Sequence, residues 1–207
     1  MRFAVIVTAL AVTALTVLPA GAEEIDEVNA AFHATYHSQC DLFLEDNGPA
    51  YEPDVFAFSY RPSWDADGDP REIRLYQYRC LIGAYNVNHV FFQVSDDDGI
   101  IPLHFSVPKF DVTYEGGTAE PANDMTPVEE IVITGFGTSF RLVNAEVDEA
   151  AGAIRNTSYW RGLGDASSSA EYRLIDGDFA LVTYDVDATY DGEINPLRIW
   201  DTLGLAR

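Results

Sequence analysis

The chain has 207 residues, 47% of them hydrophobic and 13% aromatic, enough to build one domain with a sizeable core. Against 34 acidic residues it sets only 12 basic ones, for a formal charge of −22, so nucleic acid and anionic membrane surfaces would repel it. Lys109 is the only lysine.

Met1-Arg2-Phe3 leads into an apolar run from Ala4 to Leu18, then Pro19 and the small residues Ala20-Gly21-Ala22. A short apolar segment after one basic residue, closed by small residues, is the pattern of a secretory signal cleaved near Ala22. The run falls short of the ~20 residues that span a bilayer, and no Cys follows it to carry a lipid. The mature protein, residues 23–207, is expected in the periplasm or outside the cell with no membrane anchor. It loses Arg2 and no acidic residue, so its charge is 11 minus 34, or −23. Such a charge either keeps the protein soluble in a salty environment or draws in a cationic partner through its field.

From Glu24 to Gln39 the apolar residues Ile25, Val28, Ala31, Phe32 and Tyr36 fall on one stripe, which predicts an amphipathic helix. His33, His37 and Cys40 share a face of that helix and could hold zinc or copper if Cys40 were a free thiolate. The competing chemistry is a disulfide. Cys40 and Cys80 are the only cysteines, and an oxidising compartment favours pairing them.

Past Asp46-Asn47-Gly48-Pro49 the pattern changes to short β-rich runs separated by turn residues. Strands are predicted at 55–60, 72–79, 89–94, 103–107, 110–114, 129–134, 139–147, 153–160, 170–175, 179–184 and 197–200. Asp176-Gly177 is the clearest hairpin turn, flanked directly by apolar strands. The fold class is therefore mainly β, antiparallel sheets as a sandwich or a two-half hairpin assembly, with one N-terminal α-helix. Residues 118–127 read either as a linker between halves at about 50–117 and 128–200 or as one long surface loop. Gly83-Ala-Tyr-Asn86 and Gly162-Leu-Gly-Asp165 each precede a strand, an Asp-Gly turn and a second strand, a faint echo between the halves.

Those two loops carry a resemblance. Tyr76-Gln-Tyr-Arg-Cys80 with Gly83-Ala-Tyr-Asn86, then Arg161-Gly-Leu-Gly-Asp165, Ala170-Glu-Tyr-Arg173 and Asp176-Gly-Asp-Phe-Ala-Leu181, resemble the exported bacterial family called domain of unknown function 1176, over roughly residues 54–200. The resemblance implies export, an envelope location and a β-rich domain, and it transfers no activity. Where that family commonly carries a Cys after Gly-Leu-Gly-Asp, this chain has Ala166 and Ser167 to Ser169, so a second disulfide of the family pattern is absent.

Other chemistry has weak carriers. Asp65, Asp67 and Asp69 begin like a calcium loop, but Gly68 falls at the fourth position where the sixth is needed, and Tyr76 stands where a bidentate Glu belongs. No Gly-x-Ser-x-Gly elbow occurs, and Ser167 to Ser169 have only His89 or His104 as conceivable bases. The sequence calls for no cofactor and offers no catalytic residue. Tyr85, Asn86, Trp160 and Asp165 are the candidate binding-loop residues, on loops able to meet if the halves pack together. The expected function is that of a non-enzymatic envelope or binding protein taking a cationic protein or a small ligand. Inhibition of a cationic secreted hydrolase such as lysozyme is the first alternative, and a hydrolase activity the second.

Overall fold

The computed structural model describes residues 21–36, 38–40 and 52–203. Residues 1–20, which hold most of the predicted signal segment, and His37 lie outside them. Among the described residues no helix is long and apolar enough to cross a membrane.

Helix α1 runs from Ala22 to Tyr36, with Glu23 and Glu24 in its first turn, where the helix dipole favours negative charge. Its described end falls short of the predicted Gln39, and beyond it the Gln39 and Cys40 N–H groups both donate to the Tyr36 carbonyl (3.0 Å each). Cys40 is disulfide-bonded to Cys80.

The first sheet has the order β1 (Asp54–Tyr60), β2 (Arg71–Ile82), β3 (Val87–Ser95), β4 (Gly99–Pro102), with the short β7 (Leu142–Val143) also on β3. The second has the order β12 (Leu197–Asp201), β11 (Asp178–Asp187), β10 (Ser167–Ile175), β9 (Ala153–Tyr159), β8 (Glu146–Asp148). All pairings are antiparallel. The hairpin β5 (Phe105–Tyr114) with β6 (Val128–Ser139) stands beside them, and residues 115–127 close it. This is a mainly β fold of antiparallel sheets with one N-terminal helix.

Strand alternation explains why β2 and β3 are buried on both faces. Ile73, Leu75 and Phe91 turn inward to meet Ile154, Tyr172 and Tyr184 of the second sheet. Tyr76, Tyr78, Cys80, Val90 and Phe92 turn outward and are covered by Val28, Phe32 and Tyr36 of α1. Phe32 stacks on Tyr78 with ring centroids 4.3 Å apart, and Tyr78 donates its hydroxyl to Asn29 Oδ1 at 2.8 Å. Glu24 closes the start of the helix by accepting from Arg74 Nε (2.6 Å) and from the Tyr76 hydroxyl. Burying one such aromatic side chain stabilises by roughly 1.5–3 kcal/mol.

Two inward-facing glutamines tie the sheets together. Gln77 Nε2 donates to the Ala145 carbonyl and Gln93 Nε2 to the Gly177 carbonyl, each at 3.0 Å. Asp176 and Gly177 take positive φ values of 54° and 102°, as a tight hairpin turn requires.

Three strand boundaries differ from expectation. The runs 103–107 and 110–114 form one strand through Pro108, which β5 tolerates because it has a single partner strand and one open edge. The run 139–147 breaks into β7 and β8 around Asn144, which sits at φ 46°. The short β4, absent from the sequence reading, caps the edge of the first sheet and ends at Pro102.

Candidate functional site

The loops bearing Tyr85, Asn86, Trp160 and Asp165 meet at one end of the sandwich. Asn86 acts as a surrogate peptide: its Nδ2 donates to the Tyr159 carbonyl (2.8 Å) and its Oδ1 accepts the Tyr159 N–H (3.2 Å). Its Oδ1 also accepts from Asn144 Nδ2 at 2.9 Å, while Asn144 Oδ1 takes the Val87 N–H at 2.8 Å. The Tyr85 hydroxyl reaches the Trp160 carbonyl at 3.4 Å, and the Tyr85 ring lies where a side chain at Gly162 would touch it. The Trp160 ring faces inward and stacks on Phe110.

Arg161 is the hub of this end. Its guanidinium donates through Nε to Asp165 Oδ1 (2.7 Å), through Nη1 to Asp124 Oδ2 (2.9 Å), and through Nη2 to Asp165 Oδ2 and the Tyr190 carbonyl. It also lies over the Tyr190 ring, 5.0 Å from the centroid. Asp165 is only 2% exposed, and its Oδ2 accepts the Gly192 N–H at 2.9 Å as well. The Arg161 hydrogen bonds hold the Asp165 carboxyl well below the usual carboxylate range, and the Gly192 N–H adds to this against the cost of burial. One arginine thus joins three loops, 123–127, 160–165 and 188–196.

A second buried carboxylate fixes the last of these. Asp187 Oδ1 accepts from Thr189 N–H (3.2 Å) and Oγ1 (2.6 Å), and its Oδ2 accepts from Asn195 N–H (2.7 Å). With its amide nitrogen turned toward Asp187, Asn195 donates a further bond to it. Beside these clamps lies a cleft of about 430 Å³, with Val128, Ile131 and Val186 in its walls and Asp124 and Asp191 on its lining. The loops carry large apolar groups outward, Leu163 and Ile194 each 77% exposed and Met125 71% exposed, and Leu197 at the start of β12 is exposed too.

Neither a family profile, a curated protein nor a solved structure matches this chain. What the site can do therefore rests on its own geometry.

The remaining candidates are placed apart from this end. Asp65, Asp67 and Asp69 lie exposed on the turn between β1 and β2, where the Asp65 carboxylate folds over Gly68. Asp65 and Asp69 border a surface cleft that also holds the Arg71–Asp97 ion pair. Among the described residues no three His, Cys, Asp or Glu side chains converge as metal ligands would. Cys40, spent in the disulfide, offers no thiolate to a site with His33. Burial, reinforced by Arg79 and opposed by Asp54, lowers the His89 pKa to about 4. Its Nδ1 accepts the Ala145 N–H at 3.3 Å, which commits it to the backbone.

Sequence reasoning missed Asn144 and the clamp roles of Arg161 and Asp187. The i,i+4 spacing of Arg161 and Asp165 inside the Arg-Gly-Leu-Gly-Asp run was a usable signal for a clamp. Asp187 showed only as one carboxylate of an acidic loop and Asn144 not at all, since their partners come from turns whose closure the sequence does not display.

Proposed function

We propose that the protein is an exported, non-enzymatic binding protein of the domain of unknown function 1176 type, working in the periplasm or outside the cell. Its loop end would engage a basic protein partner. The observation that carries this reading is the preorganised surface: buried Asp165 and Asp187 lock the loops from within, while Met125, Leu163, Ile194 and Leu197 point outward beside an acid-lined cleft. Apolar anchors on loops already held in place gain affinity because little ordering entropy is lost on binding, and an acidic rim selects and steers a cationic surface. The Cys40–Cys80 disulfide accords with an oxidising compartment. A cationic secreted hydrolase such as lysozyme, held in an inhibitory complex, is the specific partner class this chemistry fits.

Binding of the purified protein to a panel of basic secreted hydrolases, lysozyme included, at low and at high salt tests the reading. The expected result is a complex that weakens with salt and is lost in Leu163→Asp and Ile194→Asp, with the fold unchanged. Absence of binding at low salt, or complexes indifferent to both substitutions, would overturn it.

A further inference from the structure

A second cleft, on the opposite chemical footing, opens between the β5–β6 hairpin and the inner face of the second sheet, with a volume of about 370 Å³. That size falls within the ~300–1,000 Å³ typical of small-molecule sites. Among the described residues, no Asp or Glu lines it, in a chain with 34 of them. Two of its 12 basic residues do, Lys109 and Arg141. Neither makes an ion pair among the described residues, whereas Arg71, Arg74, Arg155, Arg161, Arg173 and Arg198 all do. Lys109 lies across Gly137, where a Cβ would sit 3.1 Å from its Cε, and Arg141 rests over the Phe140 ring, 4.8 Å from the centroid.

The floor of the cleft is polar where a sandwich interior should be apolar. Ser168 pairs with Ser158 and Ala170 with Asn156, so Asn156, Ser158 and Ser168 share the face that carries Tyr172 and Tyr184 into the core. Asn156 Oδ1 is shut off from solvent and accepts no hydrogen bond in the protein. A buried acceptor left unpaired is costly, and because Asn156 lines the cleft, a turn of its amide toward the cleft would open Oδ1 to a donor supplied by a ligand. Tyr172 spends its hydroxyl on the Ser106 carbonyl (3.0 Å) and leaves its ring as wall.

We propose that this cleft binds a sugar acid: a small polyhydroxylated ring whose carboxylate is met by Lys109 and Arg141, whose hydroxyl donates to Asn156 Oδ1, and whose apolar face lies against Tyr184. Two uncompensated cations at one cleft of a protein so acidic would attract an anion against the overall field, and the orphan acceptor demands a hydroxyl donor in addition to charge. The site is independent of the loop end, and the two readings stand or fall separately.

Lys109, as the sole lysine, makes a direct test. Reductive carbon-13 methylation keeps its charge and gives one lysine signal, separate from that of the α-amino group. Glucuronate is expected to shift this signal saturably, while glucose and acetate at equal concentration leave it in place. By calorimetry, Arg141→Ala and Asn156→Ala are each expected to weaken glucuronate binding by at least about tenfold, roughly 1.4 kcal/mol. Thermal midpoints of both variants report that the fold is kept, and Ser158→Ala serves as a second probe of the polar floor should Asn156→Ala fail to fold. The proposal is overturned if glucuronate leaves the signal unmoved, if acetate or inorganic phosphate binds as tightly, or if glucose does.

Discussion

The two ends of the chain's scaffold are fastened by opposite means. Helix α1 is held on the first sheet by a disulfide, stacked aromatic rings and a small set of hydrogen bonds around Glu24 and Asn29. The loop end is held by carboxylates: Asp165 and Asp187 accept from side chains and backbone N–H groups of loops that would otherwise have little to pack against. Covalent and apolar fastening turns the side chains inward and leaves the helix a polar outer face. Charged fastening consumes the buried polar groups and leaves the apolar tips free to face solvent. On the proposed reading, α1 is a stabilising cover and the loop end is the surface offered for contact.

The strongest way to break that contrast is to cut the covalent tie. Replacing Cys40 and Cys80 by Ser releases a constraint with a sequence separation of 40, which by loop entropy stabilises by roughly 4 kcal/mol. Urea denaturation of the double variant is expected to show a loss of that order. If α1 is a cover with its own stability, a first transition should report undocking of Phe32 from Tyr78 before the sandwich unfolds. An unchanged midpoint would mean that the aromatic contacts alone hold the helix, and the comparison would have to be redrawn.

Asp165→Asn tests the other fastening. The substitution keeps shape but removes the charge that three donors share, leaving Arg161 with Asp124 and the Tyr190 carbonyl. The thermal midpoint is expected to fall by several degrees. Amide hydrogen exchange should quicken in loops 123–127 and 188–196 while β2 and β3 keep their protection. Equal acceleration in the strands would show that Asp165 supports the whole fold and that the loop end is no separate unit.

How much of this could be read from the sequence depends on whether a feature is local. The stripe Ile25, Val28, Phe32, Tyr36 marks a helix face, Asp176-Gly177 marks a turn, and two cysteines leave one pairing, so these were legible. The two-sided burial of β3 has a signal in the apolar run Val90-Phe-Phe92, whereas β2, interrupted by Arg74, Gln77 and Arg79, does not display it. Asn156, Ser158 and Ser168 were opaque: alternation assigns them to a common face but does not say that this face is the inner one. The loops of Tyr85 and Asp165 were flagged, yet the roles of their side chains were not. Asp165 looked like a contact residue and is a buried clamp, and Trp160 is packed on Phe110, because the partners Arg161, Gly192 and Phe110 are set by chain closure.

The last expected effect is confined to one group and to acid pH, which makes it the easiest to isolate. His89 lies on β3 between the two sheets, half-buried, and its pKa is lowered from 6.5 to about 4, chiefly by burial. Below pH 6.5 the unfolded chain takes up a proton that the folded protein refuses until about pH 4. Stability from this group is therefore complete above 6.5, declines as pH falls from 6.5 to about 4, and changes no further below that. Acid also relieves the repulsion of a net charge of −22, which acts in the opposite direction on the whole molecule. Comparing wild type with His89→Asn removes that background, since both carry it and Asn can still accept the Ala145 N–H. Urea midpoints of the two proteins are expected to run parallel above pH 6.5 and to draw apart between 6.5 and 4, with the variant losing less. Parallel curves throughout would mean that the folded protein takes up the proton as readily as the unfolded chain. The region between the sheets would then be open to solvent at β3, and the contrast between a sealed interior and a charge-fastened loop end would fail there first.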